Sequence, residues 1–141
     1  MNLFDIIGPI MVGPSSSHTA GAVRIGLIAR KLMGEPIQSV TIVLHGSFRA
    51  TGKGHGTDRA LVAGLLGMEP DDIRIPQSFS FAKEAGLNFQ FSCTDLRDVH
   101  PNTVLLQMKG TSGRTVEVMA SSIGGGRIQV CRIRSEEHTS E

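Results

Sequence analysis

Between Ser17 and Met33 the apolar residues Ala22, Val23, Ile25, Ile28, Ala29, Leu32 and Met33 recur at helical spacing. Arg24, Arg30 and Lys31 fall on the other side, and Gly34 supplies a stop. Ser39 to Gly46 then alternates, placing Val40, Ile42 and Leu44 on one face and Thr41, Val43 and His45 on the other, as a strand requires. A glycine-rich turn, Thr51 to Gly56, precedes a second helical stretch. In it Thr57 and Asp58 can cap, Leu61, Val62, Leu65 and Leu66 form the apolar side, and Gly67 closes. Pro70 and Pro76 interrupt the next region, after which a short helix is expected near Phe79 to Ala85. Four more strands follow at Asn88–Cys93, Thr103–Lys109, Arg114–Ala120 and Gly126–Ile133. Gly110–Gly113 turns the second of these into the third. Early helices followed by hairpin-joined strands predict an α+β fold in two layers, with helices on one face of a largely antiparallel, mixed sheet. Met1 to Pro14, broken by Gly8, Pro9, Gly13 and Pro14, reads as a loop-like lead-in. Residues 1–133 are expected to form the domain, and the polar, aperiodic tail 134–141 to lie outside it as a disordered or foreign end.

Composition narrows the partners. A chain of 141 residues has room for one core, and its 40% apolar and 19% charged content is that of a folding sequence. Fourteen basic side chains nearly cancel thirteen acidic ones, so no broad field favours a nucleic acid or an anionic membrane. Without Trp or Tyr the chain also lacks the usual base-stacking platforms and interfacial anchors. No apolar run approaches the roughly 20 residues of a membrane span, and the N-terminus has no basic leader, so a cytoplasmic location is expected. Cys93 and Cys131 have no CxxC spacing and are expected to be two buried, reduced thiols.

Four polar segments could carry chemistry, one of them Ser121-Ser122-Ile123-Gly124-Gly125-Gly126, whose glycines would allow close approach to a ligand or another domain and which reads equally as a flexible connector. Gly13-Pro14-Ser15-Ser16-Ser17-His18-Thr19 sets hydroxyls and an imidazole at the start of the first predicted helix, where unpaired N–H groups favour an anion. An ordinary serine N-cap explains the same residues. Thr51-Gly52-Lys53-Gly54-His55-Gly56-Thr57-Asp58 repeats that design before the second helix. It is not a Walker A loop, because five residues separate Gly46 from Gly52 and Gly54 follows Lys53 where Ser or Thr is required. Asp98-Val99-His100-Pro101-Asn102-Thr103 brings a third imidazole before a strand, equally readable as a turn. GxSxG and HExxH are absent, and no pair among His18, His45, His55 and His100 has the i, i+4 spacing of a helical metal site.

Ile7 to Gly21 with its Gly-Pro-Ser-Ser-Ser-His-Thr run, Gly46-Ser47 followed by Thr51 to Asp58, and Ser122-Ile123-Gly124-Gly125-Gly126 together resemble the β chain of iron–sulfur L-serine dehydratases. The likeness runs from about residue 3 to residue 133. It implies a lyase that converts L-serine to pyruvate and ammonia, using a [4Fe–4S] cluster held by the cysteines of an α portion and no metal ligand in this chain. It further implies a fold like the allosteric substrate-binding domain of some phosphoglycerate dehydrogenases, so a noncatalytic serine-binding regulatory domain is the alternative. Elimination needs a base at the Cα proton, a Lewis acid at the leaving hydroxyl and donors at the carboxylate. On the resemblance, His55 and His100 are the catalytic candidates, His55 abstracting the proton and His100 assisting or orienting. Ser15, Ser16, Ser17, His18, Thr19, Lys53, Thr57 and Asp58 would bind substrate. The implied partners are L-serine, the iron–sulfur α portion and, in one arrangement, a second β domain. Family β chains continue beyond this length, so the chain is expected to be truncated after about Ile133 and inactive alone.

Overall fold

The computed structural model describes residues 16–46, 56–96 and 99–136, the side chains of 16–18 excepted. Helix α1 (Ser16–Met33) leads into strand β1 (Ile37–Leu44), then come α2 (Thr57–Leu65), a 3-10 turn (Ile75–Gln77) and α3 (Ser78–Ala85). Strands β2 (Asn88–Cys93), β3 (Thr103–Gly110), β4 (Thr115–Gly124) and β5 (Arg127–Glu136) complete the order. The five strands form one sheet in the order β2-β1-β3-β4-β5, with β1 and β2 parallel and the other neighbours antiparallel. This is the α+β arrangement expected from the hydrophobic pattern.

Alternation in the strands sorts the faces. Val40, Ile42 and Leu44 of β1, Val104, Leu106 and Met108 of β3, and Val116, Val118 and Ala120 of β4 join one core with the helices. Ala22, Val23, Ile25, Ala29 and Met33 of α1 are fully buried in it. The two long helices approach closely because glycines meet at their crossing. A Cβ on Gly26 would stand 2.6 Å from the Leu61 carbonyl oxygen and 2.8 Å from the Cα of Gly64.

Connectivity fixes which ends coincide. α1 runs into β1 through residues 34–36, so it is antiparallel to that strand. Its last turn is held by the guanidinium of Arg114, which donates to the Met33 carbonyl at the foot of β4. Toward its start, Gly21 lies against Ser122 at the far end of β4. α2 finishes beside Arg30, whose side chain lies against Gly67. Both α1 and α2 therefore begin at the end of the sheet where β1 stops and β3 starts.

Several boundaries depart from the sequence reading. The α2 N-cap is Gly56 with φ 78°, without a side-chain capping bond, so Thr57 is already helical and Thr57 and Asp58 do not cap. β5 runs through Arg134, Ser135 and Glu136, which pair with Glu117, Val116 and Thr115, so ladder bonds order polar residues that have no apolar period. β4 continues to Gly124, which makes Ser121 and Ser122 strand residues. Cys93 and Cys131 are exposed, not buried. They sit on β2 and β5, the two edge strands, whose residues are only sparsely covered. The lead-in 1–14 and the turn 51–55 lie outside the described residues.

Candidate functional site

The end of the sheet where both helices begin gathers polar side chains from four segments. His45 follows β1, and its backbone N–H donates to the Thr103 carbonyl at 3.1 Å. Gly46, at φ 59°, passes so close to the Pro101 carbonyl that a side chain there would strike it. Thr103 and Ser121 face each other across the β3–β4 ladder, fully buried, with hydroxyl oxygens 2.7 Å apart. Thr103 spends its single hydroxyl proton on the His100 carbonyl at 2.5 Å, so Ser121 is the donor in the Thr103 pair. The resulting relay, Ser121 to Thr103 to His100, ties the His100-Pro101 turn to the centre of the sheet. The Ser122 N–H adds a second tie, donating to the Asn102 carbonyl at 2.9 Å.

Two polar atoms at this end stand apart. Ser122 is 1% exposed, lies against Gly21 of α1, and its hydroxyl has no hydrogen-bond partner among the described residues. The side-chain oxygen of Asn102 is buried in the same condition. Buried polar groups are ordinarily hydrogen-bonded, so both atoms call for a partner beyond the described residues. Gly124, the last residue of β4, and Gly125 and Gly126 all have positive φ and make the tight turn into β5, and a Cβ added at Gly126 would stand 3.6 Å from the Ala20 side chain. The hydroxyl-rich start of α1 and the Ser-Ile-Gly-Gly-Gly segment, about 100 residues apart in sequence, are thus neighbours in space.

The predicted site residues fall into four groups. Ser15, Lys53 and His55 lie outside the described residues. Ser16, Ser17 and His18 form the first turn of α1, and Thr19 is half-buried in the next. Thr57 is buried at the start of α2, while the carboxylate of Asp58 accepts a 2.7 Å bond from the Arg59 N–H. That bond spends the charge of Asp58 on the positive end of its own helix. His100 is exposed, and its Nδ1 accepts the Asn102 N–H at 3.0 Å. Asn102, Thr103, Ser121 and Ser122 lie in segments that the sequence marks as candidates, and His45 among histidines weighed as metal ligands, but the sequence assigns none of the five a role in the site. A signal existed for the Thr103–Ser121 pair, because the predicted Gly110–Gly113 turn sets that register once β4 is allowed to run past Ala120.

The perturbed carboxylates lie elsewhere. Glu35 is held below the ordinary carboxylate value by the Ser112 N–H and hydroxyl, with Arg114 helping, at the opposite end of the strands. Asp72 is lowered to about 2 by its pairing with Arg74 in the turn after α2. Among the described residues, no three His, Cys, Asp or Glu side chains converge as metal ligands. The two cysteines of the chain sit on opposite edges of a five-stranded sheet, roughly 19 Å apart at ~4.8 Å per strand. They cannot join in holding a four-thiolate cluster. No described helix is long and apolar enough to cross a membrane.

Comparison with known proteins adds the family. The family model described as "Serine dehydratase beta chain" matches residues 2–87. The chain is 53% identical over 131 residues to the "L-serine dehydratase, beta chain" of Peptoniphilus asaccharolyticus, covering 92% of this chain and 59% of that one. It is 43% identical over 136 residues to the "Probable L-serine dehydratase, beta chain" of Bacillus subtilis (strain 168), covering 96% and 61%. "L-serine dehydratase 2" of Escherichia coli (strain K12) is 41% identical over 90 residues, which is 60% of this chain and 19% of that protein. The chain thus spans about three-fifths of the length of the two β chains it matches.

Proposed function

The chain belongs to the serine dehydratase β-chain family, and from that premise we propose that it is the β portion of a cytoplasmic lyase that deaminates L-serine to pyruvate and ammonia. An α portion completes the enzyme and carries the [4Fe–4S] cluster, which when bound supplies a Lewis acid for the leaving hydroxyl. The residues of this chain do not fit that cluster, so its own part is to bind, orient and take up a proton.

The work falls to the end of the sheet where α1 and α2 start. An amino-acid carboxylate is an anion, and two helix N-termini offer N–H groups and a favourable dipole to it. Ser15 to Thr19 at α1, with Lys53 before α2, form the binding set, while Thr57 is buried and the Asp58 carboxylate is engaged by the Arg59 N–H. His55, beside the α2 N-terminus, is the proton acceptor at Cα, because a neutral imidazole titrates in the range where the enzyme must work. Loss of the Cα proton pushes negative charge onto the carboxylate, which the same donors then stabilise more strongly.

The observation that carries this reading is the convergence of the α1 start, the β4 end and the His100 turn on one end of the fold, within a chain of this family. The test is turnover of L-serine by the complete enzyme assembled anaerobically with its α portion. His55→Ala is expected to lower kcat by about 10²- to 10⁴-fold. Near-normal turnover would remove His55 from the role of base.

A further inference from the structure

His100 is the imidazole at this end whose surroundings the structure defines most fully, and they decide what the ring can do. Its Nδ1 accepts the N–H of Asn102 at 3.0 Å. Pro101 lies between the two residues and limits the turn, and the His100 carbonyl is fixed by Thr103 at 2.5 Å. A ring nitrogen that accepts a hydrogen bond carries no proton, so the neutral ring bears its proton on Nε2. The only basic lone pair of that tautomer is the one already facing Asn102. The exposed ring therefore turns a donor outward, not an acceptor.

We infer that His100 is a substrate-positioning donor, whose Nε2–H holds an oxygen of the amino-acid carboxylate, and that it does not remove the Cα proton. This rests on the reading above that the chain acts on an amino acid. The placement suits the task. The turn carrying His100 is tied to β4 by the Ser121–Thr103 relay and by the bond from the Ser122 N–H to the Asn102 carbonyl. It also lies against Gly46, from which the chain enters the segment carrying Lys53 and His55. A donor fixed on three strands presents its proton at one place, as preorganised stabilisation of an anion requires. His45 is held in the same way, its Nδ1 accepting the Leu96 N–H at 2.8 Å. Of the histidines whose side chains are described, both are thus committed as donors, which leaves proton removal to an imidazole such as His55.

The experiment has two arms on the complete enzyme, with this chain labelled at its histidine ring nitrogens. Long-range 1H–15N spectra report the tautomer directly, the His100 signals being identified by their loss in His100→Gln. The expected pattern is an unprotonated Nδ1 and a protonated Nε2, and the reverse pattern overturns the inference. In the second arm, His100→Ala lowers kcat/KM for L-serine about 10- to 100-fold, chiefly through KM, as loss of a hydrogen bond to a charged group does. His100→Gln, whose amide nitrogen reaches the position of Nε2 but cannot serve as a base, restores most of that loss and keeps the acidic limb of the pH profile. A Gln variant as impaired as Ala, or one that has lost that limb, overturns the donor role. If the unsubstituted enzyme neither binds nor turns over L-serine, the proposed function fails, while the ring spectra still decide between donor and acceptor.

Discussion

At the end of the sheet where β3 turns into β4, both carboxylate oxygens of Glu35 are taken by the Ser112 N–H and hydroxyl at 2.7 and 2.8 Å. Arg114 reaches from the same turn to the last carbonyls of α1 and to the Ser135 hydroxyl. The other end of the same strands is also rich in short polar side chains, yet it keeps a buried Ser122 hydroxyl and a buried Asn102 oxygen without partners among the described residues. The first end closes on itself except at the Nε of Arg114, which is buried without a hydrogen bond among the described residues. The second stays open although burial penalises openness. The closed cluster holds α1 to the β3–β4 turn, and the open one lies where the proposed function puts its ligand.

The contrast predicts opposite effects of substitution at the two ends. Arg114→Ala removes charge-assisted bonds that cap α1, and should lower unfolding stability by about 2–3 kcal/mol in urea titration. Turnover per folded molecule should stay within about twofold of the parent, since nothing at the candidate site is touched. A large loss of turnover at full folding would erase the distinction between the ends. A smaller effect is expected from pH. Glu35 has a folded-state pKa below its ordinary value, so its contribution is present above the unfolded pKa and disappears as pH falls through the folded one. The stability advantage of the parent over Glu35→Gln should therefore shrink on acidification below about pH 4.5. An advantage that grows on acidification would reverse the sign assigned to Glu35.

Much of this fold is written in local pattern. β2 has the boundaries its alternation suggests, with Phe89 and Phe91 half-buried between exposed residues, and α1 starts within a residue of its expected position because it buries one face with a helical period. Where the reading fell short, the missing information was tertiary. β5 reaches Glu136 through ladder bonds to β4, which polar residues satisfy as well as apolar ones. Cys93 and Cys131 are exposed because edge position, not residue type, decides their burial. The candidate site was half legible. Helix-start motifs name Ser15 to Thr19 and Lys53 to Asp58 from sequence, but the Ser121–Thr103–His100 relay needs the strand register to bring together residues 18 and 3 positions apart. The direction of the hydrogen bond into His100 Nδ1, which separates donor from base, has no counterpart in the sequence.

The claim that the open end exists for a ligand is met most directly at Ser122. Ser122→Ala deletes a hydroxyl that has no described partner, so thermal unfolding should be unchanged or rise slightly, since an unpaired buried polar atom is lost. L-Serine binding by the complete enzyme, followed by calorimetry, should weaken by about tenfold if that hydroxyl serves the ligand. Unchanged serine affinity in a fully folded Ser122→Ala enzyme would contradict the account.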